Sequence, residues 1–449
     1  MAGAAATVSN ISATEPFGIS GGSETLDAIF RSNAWRTPDA LALVDPLDTL
    51  ELIGRPPRRL TYKQANSAIG KLSAHLRELS LPRAAGVALQ LPNAVEAVIS
   101  LLAVQRAGLT AVCLPLLWPA AEDVSALVDV APKALICADV LVGNTRSSET
   151  ALQIALATFS IRFVCGFGRD LPDGIIPLDG IFDTETTEPD LASSQEGFAE
   201  GAIITFAPGP SKTTAVTRST NQLLVGGLAV VVETELPRHA VILGTMLSAS
   251  FSVLTGTIVS WLMTGGTLVL HHPFDAGSLA EQISAAQPDM LVLPGRLIDD
   301  PATAELVHRC AAQRVLAIWR SPEQQASSAT WEAKATLVDV LAFGEDGLIP
   351  LRRGRDGLPR AVPAGAIKAP TFAAKGTLVI TTERTPAGTL ALHGPMLPIQ
   401  QPAREPISSH HGVDTRYPCT FDAASNTLRL DGPPLADAPG QAARQAPAA

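Results

Sequence analysis

The residues best suited to chemistry lie in Gly201–Gly227, GAIITFAPGPSKTTAVTRSTNQLLVGG. The apolar run Ala202–Phe206 predicts a strand, the small and hydroxyl-bearing residues after it a loop, and a helix capped near Ser219 or Thr220 follows. A strand that hands such a loop to a helix start makes a phosphate cradle, because backbone N–H groups and the helix dipole both face an anion there. Gly209, Ser211, Lys212, Thr213 and Thr214 are the candidate nucleotide-binding residues. A Walker loop would need glycines at Phe206 and Ser211, so Lys212-Thr213 is a chance match to GxxxxGK[ST].

Other constellations carry less. His271-His272 and His410-His411 are adjacent pairs, without the i,i+4 spacing that puts two metal ligands on one helix face. No GxSxG elbow and no Ser/His/Asp arrangement stands out. The cationic turn Arg352-Arg353-Gly354-Arg355 could hold a phosphate, although a solvated loop is the simpler expectation.

These residues need a large scaffold. A chain of 449 residues exceeds one ordinary core, so two or three subdomains are expected. Hydrophobic residues at 46% against 17% charged predict a well-buried globular protein, and a net charge of −10 argues against nucleic acid or an anionic membrane surface as partner. Cys113, Cys137, Cys165, Cys310 and Cys419 are scattered without a CxxC, the pattern of buried free thiols in a reducing cytoplasm. Residues 1–23 lack a signal-peptide pattern. Ala240–Leu270 has no charged residue and is long enough to span a bilayer, but its Gly and Ser breaks predict a buried strand–helix–strand unit and no membrane span.

In order, the chain predicts a helix from Glu24 to Asn33, a strand at Ala40–Val44, and a helix running to about Leu79. A strand at Gly86–Leu91, a helix at Ala94–Arg106, a strand at Thr110–Leu114 and another α/β repeat over Val124–Cys137 follow. That alternation implies a parallel sheet with helices on both faces. Residues 138–195 read as irregular, with Gly180–Ser194 a linker. Beyond Pro363 only short strands remain, at Gly376–Thr382, Gly388–Leu392 and Thr427–Leu430. The expected organisation is a disordered segment 1–23, an α/β subdomain 24–195, a second α/β subdomain 196–360 with the candidate phosphate loop, a β-barrel-like subdomain 361–432, and a disordered tail 433–449.

Four stretches share a pattern. Arg59-Leu60-Thr61-Tyr62-Lys63-Gln64-Ala65-Asn66 matches LTYxELxx. AIITF…AV.RS…LL is followed by a second α/β unit ending Gly265-Gly266-Thr267-Leu268-Val269-Leu270, and LVITTERTPAGTLALHGP is similar to GELxVRGP. Over roughly residues 24–432 the chain resembles the adenylate-forming acyl-CoA synthetase, or AMP-binding ligase, superfamily. The resemblance implies an α/β fold of two doubly wound subdomains plus a small β-barrel. It also implies a reaction of ATP with a carboxylate to an acyl-adenylate, and ATP or AMP and Mg²⁺ as cofactors. The family's small C-terminal domain needs about a hundred further residues and is expected to be absent.

The same resemblance assigns residues. Against TSGTTGxPKGV the loop Ala207–Val216 is one residue short and carries Thr214 at the lysine position. Leu337–Glu345 resembles NxYGxTE, with Leu341 for the tyrosine, Gly344 for the threonine and Glu345 for the glutamate. Glu345 is thereby the implied Mg²⁺ ligand and catalytic residue, and Asp339 the implied acceptor of the adenine amino group. Asp414–Cys419 stands where YxTGD belongs, with Tyr417 at the aspartate, a phenol that cannot accept both ribose hydroxyls as a carboxylate does. Phe251 and Trp319 are the implied acyl-pocket residues; Trp319 either fills that pocket or is a plain core tryptophan.

Three functions remain open. The favoured one is an inactive or strongly impaired homologue that acts as a binding or regulatory partner in acyl metabolism, since each eroded group would have stabilised transition-state charge. The others are an active adenylation half-enzyme that passes an acyl-AMP to an acyl carrier protein or a separate catalytic partner, and a non-catalytic acyl or nucleotide sensor. A carboxylate or acyl small molecule is the implied ligand in each.

Overall fold

The computed structural model describes residues 25–142, 145–183, 201–209, 213–272, 276–309, 312–369, 376–398 and 412–435. The expected disordered segment 1–23, all of the expected disordered tail but 433–435, and most of the expected linker lie outside these residues.

Two mixed sheets, mostly parallel, carry the chain. The first has seven strands in the order Thr214–Arg218, Ile203–Ala207, Thr110–Cys113, Gly86–Gln90, Ala134–Ala138, Phe163–Phe167, Ile176–Pro177. The second has eight, in the order Gly347–Arg352, Thr336–Phe343, Arg314–Trp319, Met290–Pro294, Val241–Gly244, Thr267–Leu270, Leu41–Val44, Arg59–Thr61. Only the hairpin-like pairs at sheet edges are antiparallel. The interior strands read as continuous apolar runs because they are covered on both faces. Strands from both sides of residue 195 enter both sheets, so the sheets do not divide where the subdomain boundary was expected.

Helices follow the strands as the alternation predicts. Tyr62–Glu78 starts with a capping box, Thr61 Oγ1 accepting from Gln64 N while Gln64 Oε1 accepts from Thr61 N, an arrangement worth about 1 kcal/mol. Val95–Arg106 follows a strand of the seven-stranded sheet, yet it is tied to the other sheet. Asn93 Nδ2 beside its start donates to the carbonyls of Gly244 and His271. Ten of its residues, from Val95 to Gln105, are buried, as expected for a helix with protein on every side. Ahead of it, buried Arg55 forks onto both oxygens of buried Glu96 at 2.7 and 2.6 Å and reaches Asp45 Oδ2 at 2.6 Å.

The uncharged run Ala240–Leu270 is core: strand Val241–Gly244, a continuous helical run Phe251–Thr264 whose middle turn is a π-helix, and strand Thr267–Leu270. Among the described residues no helix is long and apolar enough to cross a membrane. The glycine pair that ends the run has a structural cause. Gly265 caps the helix in the left-handed region at φ 66°, and a Cβ on Gly266 would stand 2.0 Å from the Ala240 carbonyl oxygen. The Gly266 carbonyl then accepts from both Tyr62 Oη and Trp261 Nε1.

Three expectations need correction. Residues 138–183 are not irregular: helix Ser147–Ala157 and strands Phe163–Phe167 and Ile176–Pro177 extend the seven-stranded sheet. The third subdomain is a six-stranded antiparallel sheet, Val362–Pro363, Thr427–Leu430, Gly412–Asp422, Thr389–His393, Thr377–Arg384, Gly365–Ala369, and among the described residues no ladder closes it into a barrel. Its two edge strands are separated by Ala364 alone, so the sheet must curl back on itself. The turn after Leu351 is not a solvated loop. Arg352 donates from Nε and Nη2 to the Glu233 carbonyl at a helix C-terminus, and Arg353 is buried.

Candidate functional site

The candidate phosphate loop begins as expected and ends differently. Strand Ile203–Ala207 turns back through it into a second strand, Thr214–Arg218, in a hairpin that pairs Ala207 with Thr214 and Ile203 with Arg218. The helix Thr220–Glu233 has the expected cap, with Ser219 and Gln222 in a capping box. Its start, however, lies beside Ile203, and Thr220 Oγ1 donates to the Gly201 carbonyl. Five strand residues at roughly 3.3 Å each separate helix start from loop. The helix dipole therefore cannot face an anion in the loop, which corrects the cradle expected from sequence. Gly209 and Thr214 are exposed, Thr213 is half-buried, and Ser211 and Lys212 lie outside the described residues.

Glu345 sits in the turn after strand Thr336–Phe343, beside Gly344, whose φ of 55° lets the chain reverse. The turn carries its side chain from one sheet to the other. Glu345 Oε2 accepts from Thr205 Oγ1 at 2.6 Å and from the Phe251 backbone N–H at 2.9 Å, and Arg218 Nη1 lies 3.6 Å away. Arg218 Nη2 also donates to the Glu345 carbonyl. The guanidinium stacks on the Phe251 ring, 3.8 Å from its centre. Every member is buried: Arg218 is 1% exposed and Phe251 0%. Burial raises the Glu345 carboxyl above the usual carboxylate range, opposed by Arg218, Thr205, the Phe251 N–H and Arg320. Burial pushes the Arg218 guanidinium down to about 10, opposed by Glu345 and Asp346, which still leaves it charged at neutral pH.

Asp339 forms a second cluster on the same strand. In-register pairing of Ala317 with Asp339 places Trp319 diagonally across from the carboxylate on one face. Trp319 Nε1 donates to Oδ1 at 2.8 Å and Gln325 Nε2 to Oδ2 at 2.9 Å, while Arg353 bridges both oxygens at 2.8 and 3.2 Å. Arg353 also donates to Ser328 Oγ and to the carbonyls of Ala329 and Gly357. Asp339 is 0% exposed. The indole of Trp319 packs against Gly295, so the ring fills the space over that residue.

The remaining candidates are also engaged within the chain. Tyr417 is buried and meets Phe343 edge-on at 5.6 Å between ring centres. Asp414 accepts from Thr389 Oγ1 and the Arg416 N–H. An apolar cavity of about 30 Å³ lies between Leu89, Leu91, Cys113, Leu114, Leu247 and Ile258, room for about one water-sized group. Phe251 and Trp319 are not among its lining residues.

Sequence reasoning missed Thr205, Arg218 and Gln325, and named Arg353 only within the cationic turn. Arg218 left one signal, a cation directly before the predicted capping serine.

Mg²⁺ requires near-octahedral oxygen ligation. Around Glu345 stand a guanidinium, an aromatic ring and a single hydroxyl, that of Thr205. Among the described residues no cluster of three or more His, Cys, Asp or Glu could hold a metal. The residues present do not fit the ion.

Comparison with known proteins places this geometry. Residues 30–163 match the family of AMP-binding enzymes. Chondramide synthase cmdD of Chondromyces crocatus is 38% identical over 96 residues, which are 21% of this chain and 2% of that protein, so the chain spans a small fraction of its curated relative. MbtA of Mycobacterium smegmatis superposes with a TM-score of 0.73 at 15% identity, covering 92% of this chain and 76% of that one. NpsA–ThdA, an artificially fused adenylation–PCP di-domain from Klebsiella oxytoca, superposes with a TM-score of 0.63 at 16% identity, covering 92% and 79%. At such identities the likeness of the structures is one of fold.

Proposed function

We propose, for a chain that belongs to the adenylate-forming AMP-binding superfamily and has the fold of its large domain, that it does not form acyl-adenylates and serves as a binding or regulatory partner in acyl metabolism. The observation that carries this reading is Asp339. The carboxylate implied to receive adenine is fully buried and holds four hydrogen bonds from Trp319, Gln325 and Arg353. Freeing it would strand the buried Arg353 charge at a cost of several kcal/mol, roughly. An adenine amino group offers too little to offset that.

ATP or AMP remains the ligand class to test, and an acyl carrier protein the partner class, the latter suggested by the fused adenylation–PCP relative. The four described cysteines are buried and free, which suits a reducing compartment such as the cytoplasm. A second reading, an active adenylation half-enzyme, is favoured by the Thr205–Glu345 hydrogen bond, which brings the strand before the loop against the implied catalytic acid.

The deciding experiment is exchange of labelled pyrophosphate into ATP with Mg²⁺ and a panel of carboxylates, alongside calorimetric titration with ATP and AMP. No exchange above blank is expected. Exchange that Glu345→Gln abolishes would establish the half-enzyme reading instead. Tight AMP binding without exchange would select the sensor.

A further inference from the structure

The Arg218 guanidinium stands where a cation facing Glu345 would stand. It lies 3.6 Å from Glu345 Oε2, stacks on Phe251, and is tied to the Glu345 backbone carbonyl. The same carboxylate oxygen already accepts from Thr205 and the Phe251 N–H. Two further donors of Arg218, Nε and Nη1, are buried without a hydrogen-bond acceptor. A divalent ion approaching Glu345 would thus meet a fixed positive charge a few ångströms from its ligand, inside low-dielectric surroundings where like charges repel most strongly.

We propose that Arg218 is a resident cation that takes the place of the divalent ion at Glu345, so that this site is metal-independent by construction. The inference deepens the non-adenylating reading and rests on the family's assignment of Glu345 to metal. It differs in kind from an eroded site. The Glu345 carboxyl is kept, and the chain supplies a cationic partner for it covalently. An anionic ligand admitted here would be met by a guanidinium whose Nε and Nη1 have no hydrogen-bond acceptor, and its binding would not change on chelation of metal.

The test is titration of Mn²⁺ alone against the full chain, reading free Mn²⁺ by its paramagnetic resonance signal, in wild type, Glu345→Gln and Arg218→Gln. Wild type and Glu345→Gln are expected to leave the signal equally undiminished, and Arg218→Gln to bind Mn²⁺ at least fivefold more tightly than wild type. Depletion of Mn²⁺ by wild type that Glu345→Gln removes would overturn the proposal, as would a folded Arg218→Gln that binds no better than wild type. Should Arg218→Gln fail to fold, the comparison of wild type with Glu345→Gln still decides it. ATP titrated in EDTA separates this inference from the function proposed above. Metal-free ATP binding would count against a closed adenine site and leave the resident cation standing, whereas Mn²⁺ bound at Glu345 would do the reverse.

Discussion

Trp319 and Gly295 are matched in shape: a Cβ built on Gly295 would stand 2.4 Å from Trp319 Cδ2. The indole therefore fixes residue 295 as glycine while its Nε1 is committed to Asp339. Gly295→Ala should force the ring or the backbone to move and cost about 1–3 kcal/mol in urea denaturation. Combining it with Trp319→Leu should recover part of that loss. A Gly295→Ala protein as stable as wild type would mean that the ring is not held where it stands.

Asp339 and Arg353 should be strongly coupled. Each is buried, and removing one leaves the other's charge unpaired, so Asp339→Asn and Arg353→Leu should each destabilise by roughly 3–5 kcal/mol. The double variant should be less unstable than the sum of the singles by at least about 1 kcal/mol. Arg353→Leu should be the worse single, because Arg353 also satisfies the Ala329 and Gly357 carbonyls. Simple additivity would show that the two side chains act independently.

Arg55 makes a different point, about geometry over charge. Its fork reaches both oxygens of Glu96 and also Asp45, which a lysine ammonium cannot reproduce. Arg55→Lys should lower stability by about 1–3 kcal/mol with no change in net charge, measured by thermal denaturation. An unchanged melting temperature would remove the fork from the stability argument.

Architecture was legible in the sequence wherever a local period carried it. The strand–helix alternation of residues 40–137, the capping residue Ser219, and the strand–helix–strand reading of Ala240–Leu270 follow from patterns a few residues long. Strand Thr214–Arg218 was not legible, because TAVTR is short and half polar and takes its identity from pairing with Ile203–Ala207. Three strands of the six-stranded sheet were legible as short strands, but the strand order depends on long-range ladders that no local pattern encodes. The site failed for a related reason. Glu345 and Asp339 were visible as acids in a motif, whereas their fates depend on Arg218, 127 residues from Glu345, and on Trp319 and Arg353 reaching Asp339 from flanking strands.

Asp123 gives a pH signature that can be worked out in sign. It is fully buried on helix Ala120–Leu127, accepts one hydrogen bond from Gln90 Nε2 at 2.9 Å, and has no partner for Oδ1. Burial pushes its carboxyl up to about 8, against the Gln90 bond, while the unfolded chain titrates near 3.9, roughly. Between about pH 4 and pH 8 the folded state keeps a proton that the unfolded state releases, so folding becomes less favourable as pH rises through this window. The cost is absent below it and complete above it. Asp123→Asn removes the titration and retains an acceptor for Gln90. The variant should match wild type near pH 4 and exceed it by about 1–4 kcal/mol near pH 8, read as the difference between paired urea denaturation curves, in which other titrating groups cancel. A difference that stays constant across the window would mean that the Asp123 carboxyl is already ionised in the folded protein.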